Sequence, residues 1–357
     1  MLAVLIAPRL GAAGLGTFTA ALAIYGVFTL AGQAGTTNFL VREITIDRTR
    51  TAGYIVHLSV LAAVISLILI GGLEALIPHL GYSHALQKSA AIIVLAVLGT
   101  VLNSIQEAAF LAYGRMEFET IATLISSLIY VGVGVALLLG GHGVPSLMWA
   151  YVACEYAVTA AYFVLISRYI AKLRLSFRPS LAVQLFKEMK AFTASSVLAA
   201  LFARPEVIVL SLLASAKQVG YYGAAIRVAE LPQLVPEVFM ANVFTLLSST
   251  FGVDESRFRE IQAKALRAMV AFALPLTALM LAAAPGIIGA LFGAKFHASV
   301  ALLRILAFNV LFVSLMAVFW RALAARHRQG AVLGVQIVMV GVRLGGAAAL
   351  IAPPSRT

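Results

Sequence analysis

Ten stretches of about twenty mostly apolar residues follow one another along the chain, at 14–36, 54–77, 89–113, 119–140, 147–170, 191–214, 219–249, 262–288, 298–324 and 330–352. A helix needs about that length to cross the hydrocarbon of a bilayer. A backbone crossing lipid must satisfy its own hydrogen bonds, which leaves helices or closed barrels. Uninterrupted apolar runs, without the period-two alternation of a barrel strand, select helices. The fold class expected is therefore an all-α polytopic membrane protein.

Composition agrees. Of 357 residues, 62% are hydrophobic and 11% charged, against about 45–50% and about 25% in soluble domains. This excludes an ordinary soluble enzyme and a disordered chain. The net charge of +12 would suggest a nucleic-acid partner in a soluble protein. Here the cations gather in alternate loops, near 42–50, 115, 171–190, 257–267 and 326–328. That is the bias of cytoplasmic loops, so the charge orients the chain and no nucleic acid is expected. The single cysteine, Cys154, permits no internal disulfide, and the scattered histidines offer no metal-ligand spacing. Met1–Ala7 lacks the basic start and cleavage site of a signal peptide and reads as the tail of a spanning helix.

Three regions are expected: a helix bundle over 1–170, a basic cytoplasmic linker over 171–190, and a second bundle over 191–357. In the linker, apolar residues at 181, 183, 185, 186 and 189 suit a short amphipathic helix on the membrane surface. Leu15-Gly16-Thr17-Phe18-Thr19-Ala20-Ala21 resembles Val219-Gly220-Tyr221-Tyr222-Gly223-Ala224-Ala225. Leu80-Gly81 and Phe292-Gly293 likewise close apolar runs. With the inferred topology, these similarities predict two parallel repeats related by an axis along the membrane normal.

Charge within a span costs a few kcal/mol or more, roughly, so ionisable residues there mark candidate sites. Arg204 and Arg227 are candidates for binding an anionic substrate, because a guanidinium forks onto phosphate. The opposing possibility for Arg227 is mutual neutralisation with Glu230, one turn away. Glu155, Glu206 and Glu237 are candidates for ion coupling, with a structural hydrogen bond as the plainer alternative. Glu107, Arg304, Arg343, Asn103 and Gln106 read as groups near the membrane edges. Pro232 and Pro236 predict a kink in the seventh span. No hydrolase, zinc-protease or nucleotide-binding signature is present, so neither an enzyme nor a cofactor is expected.

Arg9-Leu10-Gly11 through Gly16-Thr17-Phe18, the pair Arg42-Glu43, and Arg204-Pro205-Glu206 followed by Val219-Gly220-Tyr221 through Arg227 resemble motifs of O-antigen and exopolysaccharide flippases. Ala284-Pro285 through Phe292-Gly293-Ala294-Lys295-Phe296 is similar too. Those proteins belong to the multidrug, oligosaccharidyl-lipid and polysaccharide exporter superfamily. The resemblance implies two bundles moving by alternating access around a cationic cavity. It implies a polyprenyl-diphosphate-linked glycan as substrate, the bacterial inner membrane as location, and other polysaccharide assembly proteins as partners beside membrane lipid. Glu206 stands where the family usually has Asp, and the pattern expects a longer first helix and one more helix at the end. A multidrug cation antiporter of the same superfamily, or a membrane-embedded glycan polymerase or transferase, is the alternative.

Overall fold

The computed structural model describes residues 2–33, 35–172, 178–189, 205–326 and 334. Among them every regular element is helical and there is no strand. The order is α1 (Leu2–Gln33), α2 (Thr36–Ile46), α3 (Thr51–Leu76), α4 (His84–Val94), α5 (Ala96–Tyr113), α6 (Met116–Leu139), α7 (Val144–Tyr169), α8 (179–189), α9 (Pro205–Leu213), α10 (Ala216–Glu230), α11 (Leu234–Thr250), α12 (Glu255–Phe292) and α13 (Ala298–Ala325).

Among the described residues eight spans are long and apolar enough to cross a membrane: Ala3–Gln33, Arg48–Leu80, His84–Tyr113, Met116–Leu139, Val144–Tyr169, Ala216–Thr250, Glu255–Phe292 and Ala298–Ala325. They match eight of the ten segments read from the sequence. Most of the segment at 191–214 and nearly all of that at 330–352 lie outside the described residues. Large apolar side chains such as Leu67, Ile68, Leu128 and Val164 are exposed. In water that would be costly, but around a membrane-spanning bundle it is the surface presented to lipid.

The described residues form two compact units. Thr17–Leu213 make one; Ala3–Gly16 join Ala214–Thr357 in the other. The boundary near Gly16 follows a break in α1. Gly11 takes φ 67°, ψ −171°, a left-handed backbone that residues with a Cβ avoid.

In the first unit α5 is the hub, packed against α2, α3 and α7, while α6 packs on α7 at the periphery. In the second, α13 is the hub, against α10, α11 and α12. The local order also repeats. A span broken by a turn (Gly35 in one half, Leu231–Gln233 in the other) leads to a long helix whose terminal glycine has positive φ: Gly81 at 67° and Gly293 at 82°. Both long helices begin beside an extended aspartate, Asp47 at φ −139°, ψ 94° and Asp254 at φ −143°, ψ 94°. Pro232 sits in the break between α10 and α11, at the kink the prolines predicted.

The linker helix is amphipathic, with a difference. Ala182, Leu185 and Met189 are buried while Val183 and Phe186 are exposed, so the helix docks a face onto the protein. Its leading residue is fastened to α3: the Arg178 amide donates to His57 Nε2 at 2.8 Å, and His57 Nδ1 lies 2.7 Å from the Gly53 carbonyl. His57 itself is 3% exposed. Its bonds answer for its burial, since a buried polar group without partners costs about 1–3 kcal/mol.

Candidate functional site: a membrane-embedded carboxylate cluster

Glu155 lies near the middle of α7, half-buried on the side that meets α5. Thr100 Oγ1 donates to its Oε2 at 2.9 Å, and Asn103 Nδ2 donates to the same oxygen at 3.1 Å. Asn103 is held in turn, because Thr159 Oγ1 donates to its Oδ1 at 2.7 Å. The Tyr25 hydroxyl is 2.6 Å from Thr100 Oγ1 and 3.3 Å from the Tyr151 hydroxyl. The rings of Tyr25 and Tyr151 meet edge-on at 5.4 Å, and Tyr130 of α6 meets Tyr151 the same way at 5.2 Å. One polar cluster thus joins α1, α5 and α7, with an aromatic wall from α6.

Helical periodicity explains the assembly. Thr100, Asn103 and Gln106 recur every third residue on α5, while Tyr151, Glu155 and Thr159 recur every fourth on α7. Each set therefore occupies one helix face. Gly99 lies at the contact, where a Cβ would meet Glu155 Cβ at 3.4 Å, an ordinary van der Waals distance. Among the described residues no cation pairs with Glu155, and its side-chain hydrogen bonds from Thr100 and Asn103 come from neutral donors. A carboxylate so placed within a span is a candidate ion-coupling group.

Asn103 and Gln106 correct the sequence reading. They do not snorkel outward: both are buried, Gln106 completely, and donate hydrogen bonds to α7. Gln106 Nε2 donates to the Thr159 carbonyl at 3.5 Å, while its Oε1 has no partner among the described residues. The reason is tertiary: α5 is the hub of its unit, so its polar stripe faces α7. Tyr25, Thr100, Tyr151 and Thr159 were not singled out by sequence reasoning. The three-residue spacing of neutral polar groups on α5 was the available signal.

Arg227 and Glu237 belong to helices of the second unit. Arg227 is half-buried in the last turn of α10, with Glu230 one turn on. Glu237 is exposed in the first turn of α11. The backbone of Glu206 lies in α9, its side chain outside the described residues, and Arg204 lies wholly outside them.

A family of sequences described as "Polysaccharide biosynthesis protein" matches residues 5–301. The chain belongs to that family. Solved structures share the fold of this polysaccharide biosynthesis protein at low identity. An inward-facing multidrug resistance MATE transporter of the MOP superfamily superposes with a TM-score of 0.68 at 16% identity, covering 98% of this chain and 92% of its own. The lipid II flippase MurJ in an inward closed conformation gives 0.63 at 16%, covering 91% and 76%. A eukaryotic MATE transporter, AtDTX14, gives 0.53 at 17%, covering 92% and 75%. No curated protein matches the chain. The fold is thus that of an all-helical, multi-pass membrane transporter, and the relatives of known structure are transporters and flippases.

Proposed function

We propose that this polysaccharide biosynthesis protein is a flippase, with no catalytic chemistry of its own, that moves a polyprenyl-diphosphate-linked oligosaccharide across the bacterial inner membrane by alternating access. The product would be a surface polysaccharide of the O-antigen or exopolysaccharide kind, made with other assembly proteins. The observation that carries this reading is the family match over residues 5–301 on a transporter fold that includes a lipid-linked-substrate flippase. Arg204 and Arg227 are assigned to the diphosphate or to acidic sugars. Glu155 is the favoured ion-coupling residue, ahead of Glu206 and Glu237, because neutral donors hold its carboxylate and no cation pairs with it among the described residues.

A second reading, a multidrug cation antiporter, is favoured by that same carboxylate, which suits a cationic partner better than an anionic one. Complementation separates the two. The intact chain should restore surface polysaccharide to a flippase-deficient strain, and Arg204→Ala and Arg227→Ala should each reduce it at least tenfold at equal membrane abundance. Full activity in both variants would remove the cationic-site assignment. Failure of the intact chain to complement, with drug resistance conferred instead, would favour the antiporter.

A further inference from the structure

In the first unit α6 and α7 enclose an apolar groove with a volume of about 610 Å³. Its shape is written in the sequence. Ile121, Ile125 and Ile129 form one wall from α6, and Ala157 and Ala161 on α7 leave the floor low. Such a groove faces lipid because α6 lies at the periphery of its unit, with Gly134 and Leu138 its buried residues.

Phe118 lines one end of the groove, and two cations lie beside it and its stacking partner, beyond the lining residues. Phe118 and Tyr169 stack with centroids 5.2 Å apart and planes at 27°. The Arg115 guanidinium lies 5.8 Å from the Phe118 centroid, and that of Arg168 lies 5.7 Å from the Tyr169 centroid. Arg115 has an ion pair with Glu117 at 3.2 Å, but both groups are about half exposed, where such pairs contribute little. Arg168 has no carboxylate partner among the described residues. Its position follows from spacing, since Arg168 is fourteen residues beyond Cys154 and so returns to the groove face of α7.

Length selects the occupant. From Phe118 to Ile129 the groove runs eleven residues, about 16 Å at the rise of an α-helix. That is roughly half of the ~30 Å hydrocarbon core, the depth of one leaflet. A single acyl chain with its phosphate at the Arg-bearing end fits that depth, whereas a long polyprenyl chain exceeds it. We infer that the α6–α7 groove is a binding site for an anionic phospholipid, one acyl chain lying between the helices and the phosphate held by Arg115 and Arg168. The inference rests on a membrane-spanning chain alone and is independent of the flippase reading.

Cys154, the only cysteine in the chain, lines the deep end of the groove and is a built-in reporter. The intact protein in detergent is alkylated with N-ethylmaleimide in the presence of phosphatidylglycerol, phosphatidylcholine or a polyprenyl phosphate. Phosphatidylglycerol should slow Cys154 alkylation at least threefold relative to phosphatidylcholine. The selectivity should fall in Arg115→Gln and in Arg168→Gln, vanish in the double variant, and persist in Arg115→Lys/Arg168→Lys. Equal protection by the two phospholipids, or undiminished selectivity in the Gln variants, would overturn the proposal. Stronger protection by the polyprenyl phosphate would overturn it in favour of a substrate groove. If the double variant does not fold, the single variants decide.

Discussion

Gly16 and Gly220 contact each other's helices reciprocally. A Cβ built on Gly16 would fall on the Ala216 carbonyl and 2.8 Å from Gly220 N, and one built on Gly220 would fall on the Ala12 carbonyl and 3.0 Å from Gly16 N. Ala12-x-x-x-Gly16 and Ala216-x-x-x-Gly220 are thus small-residue pairs one turn apart on each side. Such pairs let helix backbones touch where lipid supplies no hydrophobic drive for association. The two glycines belong to the repeated motif read from the sequence, so that repeat marks a packing contact inside the second unit.

The contact has no room for a methyl group on either side, and the obstacle is backbone rather than a movable side chain. Gly16→Ala or Gly220→Ala should each cost about 1–3 kcal/mol, the usual penalty for overpacking. Thermal unfolding of purified protein in detergent measures it. A melting temperature unchanged in both variants would show that the helices do not cross at these glycines.

Removing the carboxylate and removing its support should separate at the Glu155 cluster. Asn103→Ala leaves Glu155 and Thr159 short of a partner and should destabilise the fold by about 1–3 kcal/mol. Glu155→Gln keeps size and hydrogen-bonding capacity while abolishing titration. It should leave the melting temperature nearly unaltered and reduce ion-driven transport at least tenfold in reconstituted vesicles. Wild-type transport with Glu155→Gln would leave the carboxylate a structural role only.

The contrast between these two sites shows what a sequence exposes. Gly16 and Gly220 were legible because the motif containing each recurs, and eight spans were legible because lipid imposes both length and apolarity. The pairing of Glu155 with Thr100 and Asn103 was not. More than fifty residues separate α7 from its donors on α5, and neutral polar groups at three-residue spacing look alike whether they face a neighbour or an interface. Only the position of α5 at the hub of its unit turns that stripe inward.

The linker contact is open to a local test. His57 is the acceptor for the Arg178 amide, so His57→Phe keeps an aromatic ring and deletes the acceptor. Leaving that amide without a partner should cost about 1–3 kcal/mol where water cannot replace it. The effect should be confined largely to α8. Hydrogen exchange at residues 178–189 should quicken while exchange in α5 stays slow. Equal exchange in the variant and the native chain would exclude His57 as the fastening point.

Asp47 and Asp254 give the last prediction a pH axis. Asp47 accepts hydrogen bonds from the Thr49 hydroxyl at 2.6 Å and the Thr49 amide at 3.0 Å. Asp254 accepts from the Ser256 hydroxyl at 2.6 Å and the Arg257 amide at 2.9 Å. These bonds favour the ionised form and hold both carboxyls below their usual value of 3.8, the side-chain hydroxyl being the largest cause in each case. A folded pKa below the unfolded one stabilises the fold at all pH above the unfolded value. The contribution diminishes as pH falls below that value and is lost once the folded pKa is passed. Both caps should therefore be intact at neutral pH, contribute less as pH falls below the usual 3.8, and fail only once pH passes the lowered folded pKa. Asp254→Ala should fray the first turn of α12 at neutral pH, an effect visible as faster exchange of the Arg257 and Phe258 amides. Lowering the pH should bring the native chain toward the variant, and Asp254→Asn, which can still cap, should lie between them without the pH dependence. A native chain whose α12 amides keep full protection relative to Asp254→Ala well below pH 3 would show that the cap does not depend on the charge.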